Sequence, residues 1–163
     1  MGKLYVRVDD RLIHGQTIVA WCPTLQIKEI IGIDDVSAKN PMLKSIMTMT
    51  VPKMYKTDIV TLEEAKGLLN EASDKNRLVI VKYPHQVYEL RELVKAADMI
   101  MLGNMAKRED TVHQLSGGTG IFWLSEQDVK ELSEMAEAGF NVVFHQLPNA
   151  ASTSWETFTN SIK

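Results

Sequence analysis

The apolar positions of this chain fall into short unbroken runs, separated by stretches with helical spacing. Residues 4–8 (Leu-Tyr-Val-Arg-Val) predict a first strand, being rich in residues that favour extended backbone. The strand gives way to the polar loop Asp9-Asp10-Arg11. A helix is expected to start near Gly15-Gln16 and to run through Ile18, Val19 and Trp21, with Pro23 close to its end. Residues 29–34 form a second apolar run that closes on an acidic turn. Across 37–50, Met42, Ile46 and Met49 recur at helical spacing, with Pro41 where a first turn tolerates it. Residues 53–60 predict a strand. Thr61 and Glu64 then form the signature of a capping box, opening a helix that ends near Ser73.

The second half repeats the alternation. A continuous apolar strand at 78–81 is followed by a helix at 84–97, and a strand at 99–103 closes on glycine. A short run at 120–124 leads to Ser125 and Asp128, which cap a helix ending before Gly139. Residues 141–144 form the last clear strand, and the tail from Ser152 leaves room for one more helix. These strands are apolar throughout, with no two-residue alternation, which is the pattern of a parallel sheet buried on both faces. The expected architecture is a single α/β domain spanning 1–163, with a mostly parallel central sheet and helices on both faces. In such folds sites gather in loops after the carboxyl ends of strands, and the loop that holds His14 follows strand one.

Composition narrows the function classes. The chain has 163 residues, 45% hydrophobic and 24% charged, with a formal net charge of −3 and interspersed signs. That balance gives no reason to expect a nucleic-acid partner. Cys22 is the sole cysteine, so no internal disulfide forms, which suits a reducing cytoplasm. No apolar run approaches the roughly 20 residues that cross a bilayer. The first residues lack the apolar stretch of a leader, so a role at a membrane would require docking to another protein.

Chemistry concentrates in residues 7–16. Neutral imidazole is a competent nucleophile towards phosphorus, and phosphorylation adds negative charge that calls for donors and cations. Arg11, three residues before His14, offers a guanidinium fork, and Arg7 offers a second. Gly15 allows close backbone approach, and the free N–H groups of the first helical turn supply donors and a favourable dipole. Asp9 or Asp10 would accept the proton of the other ring nitrogen or orient Arg11. Phosphoryl transfer asks mainly for positioning and charge stabilisation, and this segment holds the residues for both.

Other candidates read more plainly. Residues 116–120 (Ser-Gly-Gly-Thr-Gly) lack the Lys-Ser/Thr ending of a phosphate-binding loop and read as a connection. His85 is expected at a helix start, His113 in a polar loop and His145 at a strand end. The four histidines have no zinc spacing, so no metal is expected. Asp34-Asp35 reads as turn chemistry, not as half of an acidic phosphoacceptor pocket. The nine methionines read as adaptable core, and Cys22 as inert.

The string Arg7-Val8-Asp9-Asp10-Arg11-Leu12-Ile13-His14-Gly15-Gln16 resembles the N-terminal signature of the IIB subunits of the mannose/fructose/sorbose family of the phosphoenolpyruvate-dependent sugar phosphotransferase system. The helix through Trp21, the turn at 34–39, the helix start at 61–65 and the Val143-Phe144-His145-Gln146-Leu147-Pro148 segment extend the likeness over the whole chain. The resemblance implies a mostly parallel sheet flanked by helices. It implies a phosphohistidine at His14, with Arg11, Asp9 and Gln16 around it and Gly15, Arg7 and Asp10 completing the loop, and no metal or organic cofactor. It further implies a phosphohistidine–sugar phosphotransferase that takes phosphate from a IIA domain. The phosphate passes to a sugar of the mannose, fructose, sorbose or N-acetylgalactosamine class, held by membrane IIC and IID subunits, from a cytoplasmic position beside that complex. The alternative is a regulatory or binding protein of the same fold. The sugar and any homo-oligomer stay open. Where the family often has Gly-Gly-Met after the fifth strand, this chain has Gly103-Asn104-Met105.

Overall fold

In the computed structural model, which describes residues 1–116 and 120–163, every residue of β1 (Leu4–Asp9) is buried. The chain continues through α1 (Gly15–Leu25), β2 (Glu29–Ile33), α2 (Asp35–Ala38), α3 (Pro41–Met49), β3 (Lys56–Val60), α4 (Leu62–Asn70), β4 (Arg77–Val81) and α5 (Pro84–Glu89). It then forms β5 (Met99–Asn104), β6 (Thr111–Gln114), β7 (Trp123–Ser125), α6 (Glu126–Glu137), β8 (Val142–Phe144), β9 (Thr153–Ser154) and α7 (Trp155–Ser161). Seven strands make one sheet in the order β3-β2-β4-β1-β5-β8-β9, parallel except for β9; β6 and β7 form a separate antiparallel hairpin. The expected α/β architecture is therefore the observed one.

Strand order and handedness decide which face each helix covers. From β1 the chain moves in one direction to β2 and β3, then reverses through β4, β5 and β8. Right-handed crossovers place the two groups of helices on opposite faces. Residues alternate accordingly along β1: Leu4, Val6 and Val8 enter the core shared with β4, β5, α4, α5, α6 and α7, while Tyr5 enters the core beneath α1. Arg7 and Asp9 fall on the α1 side with Tyr5. The direction of the chain reverses at β1, so the loop that follows it opens at the switch point of the sheet.

Several expectations are corrected. Residues 37–50 hold two helices, because Asn40 accepts hydrogen bonds from the backbone N–H groups of Met42 and Leu43 and restarts the chain at Pro41. The strand expected from 53 begins at Lys56, since residues 52–55 close a turn with Tyr55 N bonded to the Pro52 carbonyl. The helix expected over 84–97 stops at Glu89. Beyond it the backbone tightens to three-residue bonds, such as Leu93 N to Leu90 O, while Leu90 and Val94 stay buried. Apolar spacing alone does not separate these two geometries. His113 lies in β6 and not in a loop. The capping boxes at Thr61/Glu64 and Ser125/Asp128 form as expected. The methionine reading fails in part: Met101, Met105 and Met135 are core, but Met42, Met49 and Met54 are exposed. Residues 117–119, the centre of the glycine-rich segment, lie outside the described residues.

Candidate functional site

The loop from Asp9 to His14 is pinned at both ends and in the middle. Leu12 N donates to the Asp9 carbonyl at 2.9 Å, and Leu12 takes a left-handed backbone (φ 61°), uncommon for a branched side chain. Its side chain and that of Ile13 are buried, lying over Gly32 of β2. Backbone strain of this kind gathers at functional sites, where surrounding contacts hold it. The turn delivers His14 to the N-cap of α1, where its carbonyl accepts the first helical bond from Ile18 N.

The His14 side chain does not cap the helix, and its Nδ1 is a buried atom with no hydrogen-bond partner among the described residues. Orphaned polar atoms are rare in folded proteins and call for an explanation in function. Arg11 stands beside the same helical turn, because its Nη2 donates to the Thr17 hydroxyl at 3.3 Å. Asp9 fixes the guanidinium with two parallel bonds, Nε to Oδ1 at 3.0 Å and Nη2 to Oδ2 at 2.9 Å. It also accepts the Arg11 backbone N–H at 3.0 Å. The Asp9 bonds keep Arg11 protonated beyond its ordinary range. Its Nη1 donates to no described residue and the side chain is one-third exposed, so a donor pair stays available to an incoming anion.

Arg7 plays a different part from the one expected. It is fully buried, and burial lowers its pKa to about 10, opposed by the charge of Asp9. Its Nη1 and Nη2 donate to the carbonyls of His145 and Gln146 at 3.0 and 2.9 Å, and its Nε lies 3.5 Å from Asp9. Both terminal nitrogens are thus bonded to main-chain carbonyls. Arg7 instead ties β1 to the segment after β8, and Trp21 of α1 joins the knot through Nε1 to the Gln146 carbonyl at 2.9 Å. His145 packs edge-on against Trp21 and bonds through Nε2 to the Ala150 carbonyl, so it belongs to the scaffold.

The remaining residues of the signature divide the work. Asp10 anchors the loop to β5, accepting from Asn104 Nδ2 and from Ala106 N, each at 2.7 Å. It has no bond to His14 among the described residues. Gly15 faces Thr50 at the end of α3, where an added Cβ would meet ordinary contacts. Gln16 is exposed and lines a shallow groove of about 430 Å³ with Ala20, Leu147 and Asn149. Asn104, a residue that sequence reasoning did not single out for function, thus holds the loop. The departure from Gly-Gly-Met was the only signal for it.

The other candidates resolve structurally. Asp34 caps α2 through Ser37 and pairs with Lys82, and Asp35 accepts from Leu62 N, which is turn and capping chemistry. His85 sits between Glu131 and Glu89. Cys22 is buried, and burial pushes its thiol up to about 12. Among the described residues no cluster of metal-ligating side chains occurs, and no helix is long and apolar enough to cross a membrane.

Comparison with known proteins agrees with this geometry. The family model described as PTS system sorbose subfamily IIB component matches residues 4–163. The PTS system fructose-specific EIIB component of Bacillus subtilis is 23% identical over 154 residues, 93% of this chain and 92% of that protein. A protein of Streptococcus pyogenes serotype M6 named "Probable phosphotransferase enzyme IIB component" is 31% identical over 104 residues. That match covers 63% of this chain and 64% of the relative, so the chain spans slightly less than two thirds of it. The crystal structure of the IIBSor domain of the sorbose permease from Klebsiella pneumoniae superposes with a TM-score of 0.86 at 21% identity. It covers 99% of this chain and 98% of that one, and shows the shared fold. The signature loop, its sheet and the family match converge on one assignment: this chain belongs to the sorbose subfamily of phosphotransferase-system IIB components.

Proposed function

We propose that His14 is the phosphoryl carrier of this IIB phosphotransferase and that residues 1–163 act as one functional domain. The observation that carries the reading is the orphaned Nδ1 of His14 at the N-cap of α1, beside an Arg11 fork aligned by Asp9. A phosphoryl group on His14 would bring oxygens to the N–H groups of the first helical turn and to the uncommitted donors of Arg11. In the transfer, a neutral His14 nitrogen attacks the phosphorus of a donor phosphohistidine in line. One P–N bond forms as the other breaks, and the electron pair returns to the donor ring. Each imidazole keeps the N–H it began with, so no proton has to move. Arg11 would neutralise charge on the transferring group, and Asp9 would act through Arg11, not on the ring.

In this reading the donor is a IIA domain, and the acceptor is a sugar held by membrane IIC and IID subunits. The sugar is of the class named for the relatives, which includes fructose and sorbose. The protein would work in the cytoplasm, docked to that complex. The test is intact-protein mass spectrometry after incubation with phosphoenolpyruvate, the two general phosphotransferase proteins and a mannose-type IIA domain. One acid-labile phosphoryl group on the wild type and none on folded His14→Ala is expected. Phosphate retained by His14→Ala would overturn the assignment.

A further inference from the structure

Helix α3 carries apolar residues on two faces. Its inner side sets Met47 against the core beneath α1, yet no residue of the helix is buried. Its outer side is the stripe expected at helical spacing, Met42, Ile46 and Met49, exposed by 72, 55 and 80%. Met54 just beyond the helix is also exposed. A globular helix normally turns its apolar side to the core and its polar side to water, so an apolar stripe on the outer side calls for a cover. The stripe also has a charge. Residues 36–57 contain Lys39, Lys44, Lys53 and Lys56 and no acidic residue, in a chain whose net charge is −3. Among the described residues none of these lysines is ion-paired, although Lys44 lies near enough to Glu64 to lower its pKa.

Position connects this face to the site. The end of α3 abuts the start of α1, with the Thr50 carbonyl 3.5 Å from where a Cβ on Gly15 would stand, one residue from His14. A stable protein contact covers about 800 Å² per partner, roughly 16 Å in radius if circular. Nine helical residues span about 13.5 Å. A protein that brings a phosphohistidine to His14 therefore has room to cover α3 as well.

We infer that the α3 face, with Met42, Ile46 and Met49 at its centre and Lys39 and Lys53 at its rim, is the docking surface for the phosphorylated IIA-type donor domain. The inference rests on the carrier reading of His14. The partner surface that fits has an apolar centre and an acidic border. A second copy of this chain fits poorly, because a two-fold contact would set the lysines against themselves. The cytoplasmic loops of a membrane acceptor fit poorly for a related reason, since they carry an excess of Lys and Arg.

The experiment measures the rate of phosphoryl transfer from the source organism's phosphorylated mannose-type IIA domain, as a function of its concentration. Wild type, Ile46→Asp, Met49→Gln and Lys53→Glu are compared, with Val112→Asp, an exposed apolar residue of β6, as control. Phosphoramidate, a donor too small to need docking, is run in parallel. The expected result is a KM for the IIA domain raised about tenfold in the α3 variants, with kcat and phosphoramidate acceptance unchanged. An unchanged KM in all three folded variants would overturn the docking surface and leave the carrier reading standing. Defects confined to onward transfer to the sugar would assign the face to the membrane acceptor, and an altered oligomeric state would assign it to a second copy. Either outcome overturns the proposal. A wild type that takes phosphate from neither donor would remove the carrier reading and this inference with it.

Discussion

A side chain at Gly103 would occupy the volume that holds the Arg7 guanidinium. Strands in a sheet lie about 4.8 Å apart, so Arg7 on β1 reaches the carbonyls after β8 only by crossing the intervening strand, β5. The crossing is made where the register between β1 and β5 slips: Val8 pairs with Leu102, and Asp9 with Asn104. Gly103 is the extra residue of that bulge.

Gly103→Ala is expected to displace Arg7 and to strip a buried cation of its carbonyl partners. Overpacking alone costs about 1–3 kcal/mol, and loss of the partners adds to it. Chemical denaturation should show a midpoint well below wild type. Because Arg7 and Arg11 share Asp9, phosphate acceptance by the folded fraction should fall as well. A variant as stable as wild type would mean that Arg7 can leave its site freely.

Arg11 is expected to act through its fork and not through charge alone. Arg11→Lys keeps the cation but cannot make two parallel bonds to Asp9 while presenting further donors. Removing one positioned donor from a comparable charge-stabilising site costs about 10²–10³ in rate. Rapid-quench transfer assays should show Arg11→Lys falling most of the way to Arg11→Ala, with little change in thermal midpoint. A lysine variant near wild-type rate would reduce the role of Arg11 to electrostatic attraction.

Most of the fold was legible because burial on both sheet faces leaves unbroken apolar runs, and because capping boxes such as Thr61/Glu64 are written in short spacings. The α3 stripe shows the opposite case. Helical spacing of Met42, Ile46 and Met49 located the helix but not its covered side, since an apolar stripe awaiting a partner reads like one packed inside. The position of His14 in a strand-to-helix loop was also readable. The division between Arg7 and Arg11 was not. Both precede His14 within seven residues, and only strand alternation together with the gap at Gly103 sends one into the sheet and leaves the other at the helix start. Strand β6 was missed because Thr111, His113 and Gln114 leave Val112 as its sole apolar residue, although the apolar run at 120–124 had marked its partner β7.

Cys22 should be chemically silent in the native state. Burial raises its thiol to about 12, so almost no thiolate is present near neutrality. Ellman's reagent at pH 8 should label the protein only as fast as it unfolds. In linkage terms, the native state keeps this proton between the ordinary thiol value of 9.0 and about 12, while the unfolded chain gives it up. The stability this provides is complete below pH 9 and is lost as pH rises towards 12. Cys22→Ala should flatten that alkaline decline relative to wild type, and rapid labelling of the native protein would contradict the burial.

His85 links two helices with a sensitivity at lower pH. On α5, its Nδ1 lies 2.9 Å from Glu131 of α6, and its Nε2 lies 2.8 Å from Glu89. The bond to Glu131 raises its pKa against a smaller desolvation penalty, and the charges of Glu131, Glu89 and Asp128 act in the same direction. A raised native pKa means that the imidazolium stabilises the fold below its ordinary value of 6.5. That stabilisation is lost as pH climbs through the higher native value. The ring is about half exposed, so solvent screening holds the effect to at most about 1 kcal/mol. Denaturation midpoints should therefore decline slightly from pH 6 to 8 in wild type and stay level in His85→Gln. An NMR titration should place the His85 transition above 6.5; a transition below that value would show that burial, not Glu131, governs the ring.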